Sequence, residues 1–133
     1  MTKRKPSIPR PTNAELEILR VLWARGPSTV RDIHAALQEQ RDDKVGYTTV
    51  LKLLQIMTEK GSTTRDEKTR THVYAAAISE ATTQGELVSD LVSRAFGGSK
   101  LALVLKALST TRATPAELAL IQKLLDERKG DRR

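Results

Sequence analysis

Between Gly46 and Gly61 the chain reads GYTTVLKLLQIMTEKG, and the side chains there that can do chemistry are Thr48, Thr49, Lys52 and Gln55. None is a nucleophile with a base beside it. The set offers hydrogen bonds and one cation: short hydroxyls, an ammonium suited to a phosphate or a guanine edge, and a carboxamide able to pair bidentately with adenine. At about 100° per residue Thr48, Lys52, Gln55 and Glu59 share one side of a helix, and Tyr47, Val50, Leu51, Leu54 and Met57 form the apolar stripe on the other. Such a face suits the major groove of DNA. The plain alternative is a solvated helix surface, so the surrounding chain has to decide.

Other chemistry finds little support. The 133 residues include no cysteine, which removes disulfides, thiolate nucleophiles and Cys-based zinc sites. There is no HExxH, no glycine-rich phosphate loop and no catalytic serine pattern, so no catalytic residue and no cofactor is expected. The two histidines, His34 and His72, lie in different segments without a carboxylate pattern and make no metal site. An apolar content of 38% without a run of about 18 hydrophobic residues fits one soluble domain or two small ones, with no membrane insertion. The basic start MTKRKPSIPRP lacks the apolar core of a signal peptide, and a cytoplasmic location is expected.

The elements that must position the Gly46–Gly61 helix are well signalled on both sides. Thr12 and Glu15 have capping-box spacing, Leu16, Leu19, Leu22 and Trp23 follow as an apolar stripe, and Gly26-Pro27 ends this first helix. Trp23 falls on the stripe and reads as a core anchor rather than a base-stacking platform. Thr29 and Asp32 repeat the capping spacing, and Val30, Ile33 and Leu37 mark a second helix of about ten residues. Arg31 lies in its first turn, where a cation opposes the helix dipole; an external phosphate would account for it, as would surface solubility. The polar segment Arg41 to Gly46 is a turn, so the pattern is helix, turn, helix. Beyond Gly61, the β-branched run Ser62 to Arg65 and the alternating Thr71 to Ala75 predict a two-stranded hairpin, with Lys68 and Arg70 at its tip. Three helices closed by a hairpin make a winged helix over residues 12–77.

Charge is concentrated at the start of the chain. The formal net charge is +7, and residues 1–11 hold Lys3, Arg4, Lys5 and Arg10 without a single acid. With Pro6, Pro9 and Pro11 this arm cannot be helical; it reads as an extended segment able to follow phosphates or enter a minor groove, or else as a solubilising tail.

From Ile78 onward the pattern is helical throughout. Leu87, Val88, Leu91, Val92 and Ala95 form one stripe, Leu101, Val104, Leu105 and Leu108 a second, and Leu118, Ile121, Leu124 and Leu125 a third, with Gly97-Gly98 between the first two. Thr114-Pro115-Ala116-Glu117 marks the start of the last helix. Some 55 residues with one aromatic, Phe96, cannot bury enough surface alone. Closing the stripes against a second copy is the expected solution for residues 78–133, and packing back onto the winged helix is the alternative.

The segments TNAELEILRVLWARG, STVRDIHAAL, GYTTVLKLLQIMTEKG, TRDEKTRTHVY and FGGSKLALVLKAL resemble, in order and spacing, the penicillinase-repressor family, which includes the methicillin-resistance repressors and related copper-responsive repressors. The resemblance covers about nine-tenths of the chain, and YTTV and FGGS are its most specific parts. It implies a mainly α fold with a small β wing: a dimeric winged helix-turn-helix repressor, bound to a palindromic double-stranded DNA operator and controlling β-lactam resistance or a related stress response. Release would follow proteolysis, through a membrane sensor-protease or its downstream protease, or a metal signal. The copper-responsive branch relies on C-terminal cysteines, absent here. Alignment of the LVL run places the cleaved bond of the β-lactam-responsive branch between Lys106 and Ala107, where familiar members have Asn and Phe. Two further departures are Ile56, where the family usually has arginine, and Ser62-Thr63, where two apolar residues normally begin the wing; the latter change predicts a loosely held wing. The rival reading is a winged helix whose Thr48, Lys52 and Gln55 face meets another protein.

Overall fold

The structure, a computed structural model, describes residues 8–130. At the start of the first helix, α1 (Asn13–Arg25), the Thr12 hydroxyl accepts from the Glu15 N–H at 3.2 Å and the Glu15 carboxylate accepts from the Thr12 N–H at 3.0 Å, the reciprocal capping box. Gly26 ends it at φ 86°, in the region that favours glycine. Thr29 caps α2 (Val30–Glu39) by accepting from the Asp32 N–H at 3.1 Å. The third helix, α3 (Tyr47–Lys60), follows after a short turn and stops at Gly61, whose φ of 92° lets both its own N–H and that of Ser62 reach the Met57 carbonyl.

The wing differs from the hairpin expected. Thr63–Asp66 (β2) pairs antiparallel with Val73–Ala76 (β3), and β3 is central, because Ser28–Thr29 (β1) pairs with its other edge in the register Ser28 to Tyr74 and Thr29 to Val73. A two-residue strand carries no periodicity, so sequence reads it only as the lead into α2. The pairing ties the wing to the start of α2.

Ile18, Leu19, Val21 and Leu22 of α1, Val30, Ile33 and Leu37 of α2, Val50, Leu54 and Met57 of α3, and Tyr74 of β3 form one buried core. The α1 stripe is rotated from the expected one: Ile18 and Val21 are inside, whereas Leu16 is half-buried. Trp23 is also half-buried, packs against the core, and donates its indole N–H to the Ile78 carbonyl at 3.0 Å. Tyr47, expected on the buried stripe, is 49% exposed because the core ends one turn further along α3, at Val50.

Glu15 does more than cap. Its carboxylate is nearly buried and receives the Lys60 ammonium at 2.9 Å, joining the start of α1 to the end of α3. Burial alone would push this carboxyl up, but the hydrogen bonds from Thr12 and Lys60 and the lysine charge outweigh it and hold the group below its ordinary value. Ser62 and Thr63 are likewise buried rather than loose. The Ser62 hydroxyl donates to the Met57 carbonyl at 3.2 Å, and the Thr63 hydroxyl meets that of Thr58 at 2.9 Å. The apolar area missing under the wing is met by hydrogen bonds to the end of α3, which corrects the expectation of a loose wing.

Contacts divide the chain into one unit up to Gly85 and another from Glu86, so the division falls inside α4 (Glu80–Ala95). The second unit continues with α5 (Lys100–Thr110) and α6 (Pro115–Gly130). Ser99 caps α5, and Thr114 and Glu117 form the box expected at the start of α6, with bonds of 2.8 and 3.1 Å. The bond donated by the Thr114 N–H, with a further contribution from the Thr114 hydroxyl, holds the Glu117 carboxyl below its ordinary value. No helix among the described residues is long and apolar enough to cross a membrane.

Candidate nucleic-acid interface

The periodicity of α3 sorts its side chains as a groove-reading helix requires. Val50, Leu54 and Met57 are buried, while Thr48, Thr49, Lys52, Gln55 and Glu59 are exposed together on the opposite side. Ile56, where the resemblance expects arginine, is half-buried at the margin of that face. Gly46 caps α3 without any side-chain hydrogen bond, leaving the positive end of the helix dipole next to Tyr47 and Thr48.

Cations flank the face. Arg31 at the start of α2 and Arg70 in the wing turn line one open cleft of about 340 Å³, together with Tyr47 and Leu51 of α3, and His72 and Tyr74. Neither arginine has an ion pair or hydrogen bond to another described residue. Two guanidiniums without a partner among the described residues thus concentrate positive charge over one cleft, and the pairing of β1 with β3 explains why residues 39 positions apart share it. Lys68 is exposed in the same turn, where its backbone N–H donates to the Asp66 carboxylate at 2.9 Å. The other guanidiniums nearby are occupied: Arg65 is bound to Glu67 at 2.8 Å and Arg41 to Asp43 at 2.7 Å. His72 lies 3.9 Å from the Glu67 carboxylate. Arg10 is exposed, and Lys3, Arg4 and Lys5 lie outside the described residues.

A second, larger cleft of about 460 Å³ lies against the C-terminal ends of α1 and α2. There Arg20 and Arg25 face Glu39 and Glu80, so the cleft carries no net charge to draw a phosphate, and none of the α3 face opens into it. No group of three or more potential metal ligands occurs among the described residues.

Sequence reasoning missed two parts of this site. Helical spacing puts Tyr47 on the apolar stripe, although its place one turn before Val50 leaves it exposed and lining the cleft. In the sequence His72 falls in the Thr71 to Ala75 strand pattern and is dismissed as a metal ligand; its position two residues after Arg70 is the signal that could have placed it in the cleft.

The residues expected to mediate dimerisation lie in the second unit. Leu91, Leu101, Val104, Leu105, Leu108, Leu118 and Leu125 are each between 42% and 67% exposed, Leu87 and Ile121 are half-buried, and Val92 is already buried within the single chain. Lys106 and Ala107 are exposed within α5.

Known proteins resemble this chain over most of its length. The sequence model of the family described as Penicillinase repressor matches residues 11–127. The transcriptional regulator BlaI of Mycobacterium tuberculosis, recorded from two strains, is 30% identical over 105 residues, 77% of this chain and 75% of that protein. Among solved structures, the DNA-binding domain of the repressor BlaI is 23% identical, covers 58% of this chain and 92% of its own, and superposes with a TM-score of 0.49. The monomeric form of Bacillus licheniformis BlaI in complex with the blaP half-operator is 24% identical, covers 56% of this chain and 89% of its own, and has a TM-score of 0.48.

Proposed function

We propose, from the premise that this chain belongs to the penicillinase repressor family, that it is a cytoplasmic homodimer that represses transcription by laying α3 in the major groove of each half of a palindromic operator. The observation that carries this reading is the coincidence of an uncrowded polar face on α3 with unpaired Arg31 and Arg70 in one cleft beside it. Thr48, Thr49, Lys52 and Gln55 would read base edges, while Arg31, Lys68, Arg70 and the basic arm with Lys3, Arg4, Lys5 and Arg10 would neutralise phosphates.

Exposed leucines on α4, α5 and α6 support association of two copies through the second unit. A two-fold dimer places two recognition helices about one turn of DNA apart, and the second half-site is then bound at high effective concentration. The regulated genes would serve β-lactam resistance or a related stress response. Cleavage between Lys106 and Ala107 would separate α6 and part of α5, weaken dimerisation and release the operator without touching the winged helix. Because the bond is helical, a protease needs local unfolding there first.

Titration of the full chain with duplex DNA at several salt concentrations tests the reading. The logarithm of affinity should fall linearly with the logarithm of salt, at a slope near −0.9 per neutralised phosphate, and removing residues 1–10 should flatten it. Binding indifferent to salt would instead assign the α3 face to a protein partner.

A further inference from the structure

We infer that Gln38 is a positioning residue that sets the first turn of the recognition helix, and with it the reading of bases by Thr48 and Thr49; the inference rests on the DNA-binding reading above. The first turn of α3 has little to hold it. The core begins only at Val50, Tyr47 to Thr49 are exposed, and Gly46 supplies no capping side chain. What holds it comes from α2. The Gln38 carboxamide oxygen accepts from the Val45 N–H at 2.9 Å, and its nitrogen donates to the Asp43 carbonyl at 2.9 Å and, more weakly, to the Arg41 carbonyl at 3.4 Å. One half-buried side chain thus spans the whole turn between the two helices.

His34, one helical turn earlier on α2, completes the grip. Its Nε2 lies 2.7 Å from the Val45 carbonyl, which can only accept, so the proton sits on Nε2. Both backbone groups of Val45 are therefore held by α2 side chains, two residues before α3 starts. The Tyr47 ring stands edge-on to the His34 ring, with centroids 5.7 Å apart and planes at 61°, which extends the grip into the helix itself. Lys52 and Gln55 lie beyond Val50, where the core fixes the helix, and depend on this turn much less.

The test compares the full-length wild-type chain with Gln38→Met and Gln38→Glu on duplexes selected by each protein from random-sequence DNA. Methionine keeps the length and loses all three bonds; glutamate keeps the acceptor for the Val45 N–H. Gln38→Met should lose about tenfold in affinity for the wild-type sequence, the size of one good base contact. The lost preference should lie at the positions read by the first turn of α3, with the preference due to Gln55, the affinity for random DNA and the salt slope unchanged. Gln38→Glu should recover part of the loss, and it carries the test alone if Gln38→Met fails to fold. Unchanged selection by a folded variant overturns the inference and leaves the DNA-binding reading intact, and an equal loss on all DNA makes Gln38 merely structural. A wild-type chain that enriches no sequence overturns the DNA-binding reading and takes the inference with it.

Discussion

The two units of this chain use similar apolar residues to opposite ends. Up to Gly85, eleven apolar residues close on one another in a single core, and the charged pair Glu15–Lys60 seals its edge. From Glu86 onward Val92 is the one buried large apolar side chain among the described residues, while leucines of α5 and α6 stand as much as 67% exposed. A patch of that kind is uncommon on a monomer and normally marks a surface that another protein covers. The first unit therefore has what it needs to hold α3 by itself. The second leaves its leucines exposed in the single chain, and this is the observation behind the proposal that a second copy covers them.

The largest effect should come from removing the second unit. A chain ending at Gly85 should be monomeric by light scattering, and its operator affinity should fall by about 10²- to 10⁴-fold as the linked second contact is lost. Leu91→Asp should reproduce much of this in the full chain. A dimeric 1–85 fragment would place association in the winged helix and reverse the comparison.

A smaller effect should follow from opening the sealed edge of the first unit. Lys60→Met leaves the nearly buried Glu15 carboxylate without its cation, at a cost of about 1–2 kcal/mol in denaturant unfolding, reduced because Lys60 is partly in water. Since the folded Glu15 carboxyl lies below its ordinary 4.5, the stability it contributes is complete above pH 4.5 and is lost as the pH falls through the lower folded value. Unfolding measured across that acid range should show the wild-type advantage over Glu15→Gln disappearing at the low end.

The smallest effect concerns the wing. Thr63→Val keeps the shape of the buried side chain, and Thr58 retains its 2.8 Å bond to the Leu54 carbonyl, so unfolding free energy should change by no more than about 1 kcal/mol. A much larger loss would mean that the hydroxyl pair anchors the wing by itself.

Much of the fold was legible because its punctuation is local. Thr12, Thr29 and Thr114 announce helix starts within four residues, Gly26, Gly61 and the Gly97-Gly98 pair announce stops, and the period of α3 separates its polar face from its core face. What escaped involves partners distant in sequence or signals too short to have a period. The strand Ser28–Thr29 has two residues, and the Glu15–Lys60 pair is 45 residues apart. The rotation of the α1 stripe from Leu16 to Ile18 depends on where α2 and the wing lie, which residue type alone does not reveal. In the candidate site, Arg31 and Arg70 were each singled out by charge, but their sharing of one cleft follows from the pairing of β1 with β3. Gln38 has no signature at all in the sequence, because its partners are backbone groups.

Sequencing the DNA retained by the purified full-length chain from a random-sequence pool tests the central claim most directly. The account predicts an inverted repeat with half-sites about one helical turn apart, and Gln55→Ala should relax preference at one or two positions in each half. Retention of DNA without any enriched sequence, or enrichment left unchanged by Gln55→Ala, would contradict the reading of α3 as the helix that specifies the operator.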